Sequence, residues 1–164
     1  MRILYAHILF IAAFLFLPLF SSASQTAGVI DSTDKYAWGE DLGWINFKAD
    51  GSNVVVTDSG LTGYAWIENY GWINLNPPGG GVANDAEGNL SGSAWGQNIG
   101  WINFSGVTID GNGYFHGYAI SLNFGRISFN CKNTDSCSAG NFKVKTDWVR
   151  KSLRSSGGTG SSGS

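Results

Sequence analysis

Short alternating runs of apolar and polar residues return in one order along residues 36–129. The first copy reads Tyr36-Ala37-Trp38, then Gly39-Glu40-Asp41-Leu42, then Gly43-Trp44-Ile45-Asn46-Phe47. The second is Tyr64-Ala65-Trp66, Ile67-Glu68-Asn69-Tyr70, Gly71-Trp72-Ile73-Asn74-Leu75. The third is Ser93-Ala94-Trp95, Gly96-Gln97-Asn98-Ile99, Gly100-Trp101-Ile102-Asn103-Phe104. The fourth has drifted to Tyr118-Ala119-Ile120, Ser121-Leu122-Asn123-Phe124, Gly125-Arg126-Ile127-Ser128-Phe129. Counted at residues 38, 66, 95 and 120, the copies are 28, 29 and 25 residues apart. A period of two predicts strands: Trp44 and Asn46 share one face, Ile45 and Phe47 the other, and both rings of Tyr36-Ala37-Trp38 lie opposite Ala37. A helix would place apolar residues three and four apart and would not tolerate this much Gly. The loops rich in Glu, Asp, Gln and Asn suit turns. The Gly before each second Trp is expected at positive φ or in a bulge.

A second element separates the copies. Val, two residues and Asp recur at Val55 to Asp58, Val82 to Asp85, Val107 to Asp110 and Val144 to Asp147. After three of these comes a short apolar run, Gly60-Leu61-Thr62-Gly63, Leu90-Ser91-Gly92 or Phe115-His116-Gly117. One unit is therefore three short strands, and the chain is an all-β fold of four degenerate three-stranded repeats. A unit of about 27 residues cannot bury its own apolar face, so units must stack or close on one another. The ends favour closure into a pseudo-fourfold shallow barrel or ring. The first hairpin is preceded only by Val29-Ile30-Asp31, and the last is followed by an unpaired Val144-to-Asp147 strand that can complete the first unit. Closure also removes exposed strand edges. A β-prism, a sandwich and a short β-solenoid are the alternatives.

The chain divides into three stretches. Residues 1–24 read as a signal peptide: Arg2, an apolar run Ile8 to Phe20, then small residues Ser21-Ser22-Ala23-Ser24. That run is short for a membrane span, so no integral span is expected after cleavage, an uncleaved anchor being the alternative. Residues 25–149 form the single β-repeat domain. Residues 150–164 are a basic, then Gly/Ser-rich flexible tail. Charged residues are only 13% of the chain and aromatics 14%, with seven Trp and 24 Gly, which favours short strands and tight turns over disorder. From Gln25 to Phe142 there are four basic and eleven acidic residues, so nucleic acid is not an expected partner. Lys143 to Arg154 reverses this with five basic residues and one acid. That stretch reads as a solvated strand and tail, or as a contact for an anionic envelope surface. Cys131 and Cys137 bracket a polar loop and read as a disulfide in an exported chain.

The candidate chemistry is sparse. His116 alone follows the leader, on a strand, and no nucleophile and base pair is evident. No cofactor is expected. Glu40, Asp41 and Glu68 occupy equivalent loops and would serve a hydrolase only if they met on a shared rim. Asp58, Asp85, Asp110 and Asp147 are weak calcium candidates, each also suited to capping a turn. Trp38, Trp44, Trp66, Trp72, Trp95 and Trp101 offer flat rings for sugars or cationic groups if exposed. The favoured position for most of them is the core, because a domain rich in Ala and Gly needs large side chains to fill it. Asn46, Asn74 and Asn103 share the Trp face, bonding nearby backbone or lining a polar floor. Arg126 replaces a Trp and is placed to stack on a neighbouring Trp or to cap the row.

The Gly-Tyr-Ala-Trp and Gly-Trp-Ile-Asn-Phe units, with the Cys loop after the last copy, resemble repeats of exported bacterial surface proteins over roughly residues 28–148. The resemblance implies an extracellular or envelope location and brings no activity with it. The expectation is a secreted or cell-surface, non-enzymatic binding or adhesion module for glycan or envelope components. A purely structural or assembly unit is the alternative, and a hydrolase the second.

Overall fold

The computed structural model describes residues 26–154. The leader read over 1–24 and the run 155–164 lie outside the described residues. The strands are β1 (Ala27–Gly39), β2 (Gly43–Asn46), β3 (Val55–Thr57), β4 (Gly60–Thr62), β5 (Tyr64–Ile67), β6 (Gly71–Asn74), β7 (Gly81–Asn84), β8 (Leu90–Gly96), β9 (Gly100–Asn103), β10 (Val107–Ile109), β11 (Phe115–Ser121), β12 (Gly125–Ser128) and β13 (Val144–Thr146). Short 3₁₀ turns follow at Cys131–Thr134 and Lys151–Leu153.

The four repeated hairpins close into an eight-stranded antiparallel barrel. Its circuit runs β1–β2–β5–β6–β8–β9–β11–β12 and returns to β1 through Trp38 opposite Ser128 and Gly39 opposite Ile127. The Val-x-x-Asp strands form a second circuit beneath it: β1–β3–β4–β7–β8, then β10–β11 and β13, joined by single bridges Asn89–Thr108 and Tyr114–Lys145. The late strand β13 pairs with β1 through Ile30 opposite Thr146, completing the first unit as the repeat count implies.

Glycine permits the passage between circuits. Gly63, Gly92 and Gly117 stand there at φ 88°, 76° and 82°, where a Cβ would fall 2.4, 2.1 and 2.0 Å from the carbonyl oxygens of Asn53, Gly81 and Gly106. The first unit makes this passage differently. Its pairing shifts between Ile30 and Lys35, and Asp31 Oδ1 accepts the N–H groups of Thr33 and Asp34 in that bulge.

The interior is filled from the small side of each hairpin. Ala37, Ala65, Ala94 and Ala119 point inward with Ile45, Ile73, Ile102 and Ile127, all buried. Phe47, Leu75, Phe104 and Phe129 form the next layer. The loops between hairpin strands plug one end. Leu42 and Ile99 are buried there, and Tyr70 meets Phe124 at 5.0 Å between ring centres. The other end is closed by the segment after β13. Trp148 is buried, its Nε1–H donates to Asp58 Oδ1 at 3.0 Å, and Arg154 pairs with the same carboxylate. Arg150 reaches the carbonyl of Ile109, Lys151 N–H the carbonyl of Ala86, and Ser152 the carboxylate of Glu87. Residues 150–154 are thus part of the fold, whereas the sequence places them at the start of the tail.

Candidate functional site

The six repeat Trp residues lie outside the barrel. This overturns the expectation that most of them fill the core. Trp44, Trp72, Trp95 and Trp101 are exposed at 49%, 39%, 39% and 43%, and Trp38 and Trp66 are half-buried. The cause is steric: the interior of an eight-stranded barrel is just wide enough for side chains to fill, and the Ala and Ile residues with the Phe and Leu layer beside them take it. The rings instead shield each other. Trp38 faces Trp44 across the ladder at 4.7 Å, Trp66 faces Trp72 at 4.8 Å and Trp95 faces Trp101 at 4.9 Å, each pair edge-to-face.

The register joins these pairs into rows that cross from one repeat to the next. Tyr36 lies opposite Asn46, Asn46 opposite Trp66, and Trp66 opposite Trp72. Tyr64, Asn74, Trp95 and Trp101 make the same row one repeat on. Tyr118, Ser128, Trp38 and Trp44 make it across the closure. The remaining row is Ser93, Asn103, Ile120 and Arg126. Ser93 in the third copy and Ile120 and Arg126 in the fourth look like unrelated departures in the sequence. They are one row of the barrel, emptied of rings together.

Each second Trp is flanked by the loop that follows the preceding hairpin. A Cβ on Gly51 would lie 3.9 Å from Trp72, and one on Gly80 would strike Trp101 at 2.6 Å. Gly140 of the disulfide loop approaches Trp44 to 4.0 Å on the same measure. The loop before Arg126 is the short one, with only residues 104–106 between Asn103 and Val107. Rings and covering loop are therefore absent together at the fourth row.

An aromatic cleft stands where the disulfide loop crosses the closure. It encloses about 470 Å³ beside Trp44. Tyr36 and Phe142 pack edge-on against Trp44 at 6.0 and 5.6 Å. Asp34, Glu68, Asn141 and Lys143 supply its polar groups, with Lys143 Nζ 3.7 Å from Asp34 Oδ2. The loop is held by the Cys131–Cys137 disulfide and by Tyr118, whose hydroxyl donates to the Asn133 carbonyl at 2.6 Å. Asp34, Asn141, Phe142 and Lys143 escape sequence inspection because they sit outside the repeat. The one available signal is that the last inter-unit segment, from Ser128 to Val144, is the longest.

The other sequence candidates resolve individually. Asn46, Asn74 and Asn103 bond nearby backbone: their Oδ1 atoms accept the N–H groups of Lys48, Asn76 and Ser105 at 2.9, 2.9 and 2.8 Å. Arg126 lies over Tyr118, 5.4 Å from the ring centre, and not over a Trp. The four repeated aspartates are engaged in the fold. Asp85 and Asp110 each accept two backbone N–H groups at their turns, and Asp110 Oδ2 also meets His116 Nε2 at 2.9 Å. Asp147 accepts the N–H of Val29 at 2.6 Å, and Asp58 holds Arg154 and Trp148. Among the described residues no group of three or more His, Cys, Asp or Glu side chains is placed to hold a metal. Glu40 and Glu68 line different clefts, and Asp41 lines neither. Among the described residues no helix is long and apolar enough to cross a membrane.

No family model, curated protein or solved structure matches the chain.

Proposed function

We propose that this chain is an extracytoplasmic, non-enzymatic carbohydrate-binding module, presented at a bacterial cell surface, whose main site is the Trp44 cleft. The observation that carries the reading is the half-exposed Trp44 ring bordered by the side chains of Asp34, Glu68 and Asn141. A pyranose presents an apolar C–H face and an equatorial rim of hydroxyls. An indole face takes the first, and carboxylates and amides take the second. Tyr36 and Phe142 fix the ring edge-on, so little side-chain entropy is lost on binding.

Export is supported by the leader-like N-terminus and by the disulfide. An alternative use of an aromatic belt is anchorage in a lipid surface. It fits less well. The hairpin part of each strand in the Trp circuit, about four residues, spans about 13 Å at roughly 3.3 Å per residue, short of the apolar band of about 25 Å on a membrane barrel. The second circuit exposes Thr62, Ser91 and Thr108 among Val29 and Ala83, which breaks up any continuous apolar band.

The test is Trp fluorescence and calorimetry with neutral oligosaccharides, N-acetylchitotriose and cellotriose among them. Saturable binding that Trp44→Ala abolishes and Glu68→Gln weakens by about tenfold, the loss of a charged hydrogen bond, is expected. Wild-type protein that binds no member of a broad neutral panel refutes the reading.

A further inference from the structure

A second cleft, of about 240 Å³, opens on the other side of the disulfide loop. It is lined by Trp38, Tyr118, Arg126 and Ser128, with Thr134 and Ser136 from the loop. The row register explains why a cation stands here. In the first two hairpins the Tyr packs on the second Trp of its own hairpin, Tyr36 on Trp44 at 6.0 Å and Tyr64 on Trp72 at 6.2 Å. In the fourth hairpin Arg126 holds that second-Trp position and its guanidinium lies over Tyr118. This cleft therefore keeps the hairpin's pairing of Tyr with the second-Trp position, with the indole there exchanged for a positive charge that reaches in from the neighbouring row.

The charge is available. Arg126 is exposed, and among the described residues no carboxylate lies within ion-pair distance of it. A guanidinium over a ring keeps its N–H edge free, and that edge matches a carboxylate or sulfate in two parallel hydrogen bonds. Trp38 is half-buried and leaves part of its ring open to the cleft. The Thr134 and Ser136 hydroxyls, 2.6 Å apart, add donors and acceptors for sugar hydroxyls. Glu40 also lines the cleft and is the group that opposes an anion there.

We propose that the Arg126 cleft binds an anionic sugar residue, a hexuronate or a sulfated hexose, with the pyranose against Trp38 and its anionic group on Arg126. The ligand class rests on the carbohydrate-binding reading, but the residues are separate from those of the Trp44 cleft.

Calorimetry with three probes at low and moderate salt tests it: oligogalacturonate for the carboxylate, a size-matched dextran sulfate for the sulfate, and poly-glutamate as an anion without sugar. At least one anionic saccharide is expected to bind, more weakly as salt rises. Arg126→Gln should cost at least about tenfold. Glu40→Gln should tighten binding, because it removes the opposing charge. Glu68→Gln, in the other cleft, should leave this binding unchanged. Arg126→Gln binding like wild type, poly-glutamate binding as well as the saccharides, or neither saccharide binding, each overturns the proposal. Loss of neutral-sugar binding alone sinks the Trp44 site and leaves this one standing.

Discussion

Tryptophan does two jobs in this molecule, and burial separates them. A ring on the outer rows, such as Trp66, is held by one edge-to-face partner at 4.8 Å and leaves part of its surface in water. Such a pair is worth about 0.5–1.5 kcal/mol beyond area burial, so Trp66→Ala should leave the protein folded and cost on the order of 1 kcal/mol in chemical denaturation. Trp148 is buried, with its indole N–H on Asp58, and Trp148→Ala should cost about 3–5 kcal/mol in the same assay. The aspartates give a pH signature. Asp58 is lowered chiefly by the Arg154 hydrogen bond, with burial opposing, and Asp31 chiefly by the backbone N–H of Asp34. In Asp110 burial acts upward, but the His116 hydrogen bond and two backbone N–H groups together outweigh it, and Asp85 is lowered chiefly by the Asn89 side chain. A carboxyl whose folded value lies below its unfolded value adds stability that is complete above the unfolded value, about 3.9 for Asp. That stability fades as pH falls below about 4 toward the depressed folded values. Thermal melts should therefore hold from neutrality to about pH 5 and fall steeply below pH 4. Arg154→Gln should make that acid limb shallower; an unchanged limb would show that the pair contributes nothing.

The hairpin is the element the sequence displays, and the row is the element the structure uses. Period-two alternation correctly groups Trp44 with Asn46 and Ile45 with Phe47, and the glycines before the second Trp, Gly43, Gly71 and Gly100, do take positive φ, as does Gly125 before Arg126. Alternation cannot say which face is inside, because both faces are apolar: Ala and Ile on one, Trp on the other. Deciding it needs the barrel's strand number, since only a narrow interior makes six indoles too many. The rows are hidden for a related reason. Trp66 and Asn46 are twenty residues apart, and their pairing depends on the stagger between hairpins. The passage glycines carry a prediction at this scale. Gly92→Ala puts a Cβ against the Gly81 carbonyl at a left-handed φ and should cost more than about 2 kcal/mol, read as a lowered denaturation midpoint at unchanged slope. An Ala at Gly140, where a Cβ meets only Trp44 at ordinary contact distance, is the matched control and should cost far less.

At the scale of the whole molecule the fold is a closed ring of units with its seam at β1. An open solenoid loses one end repeat at a time, because each repeat touches only its neighbours. Here the first and fourth hairpins are neighbours through Trp38 and Ser128, and the second circuit is closed only by β13 beside Ile30 and Lys35. Repeat counting makes that seam legible from the sequence, since a spare Val-to-Asp strand at one end answers a short one at the other. The closing segment 148–154 leaves no such trace, because its contacts to Asp58, Ala86, Glu87 and Ile109 are made by residues outside any repeat. Removing residues 142–154 strips buried Val144 and Trp148 from the seam and uncovers the turns of three units at once. A closed molecule should answer as a whole: the truncated protein should lose its cooperative transition in circular dichroism and the near-ultraviolet signal of its indoles. A solenoid would lose about one quarter of its signal and keep a sharp transition for the rest. A truncated chain that still melts sharply, with its three Trp pairs intact, would mean that closure is incidental to stability.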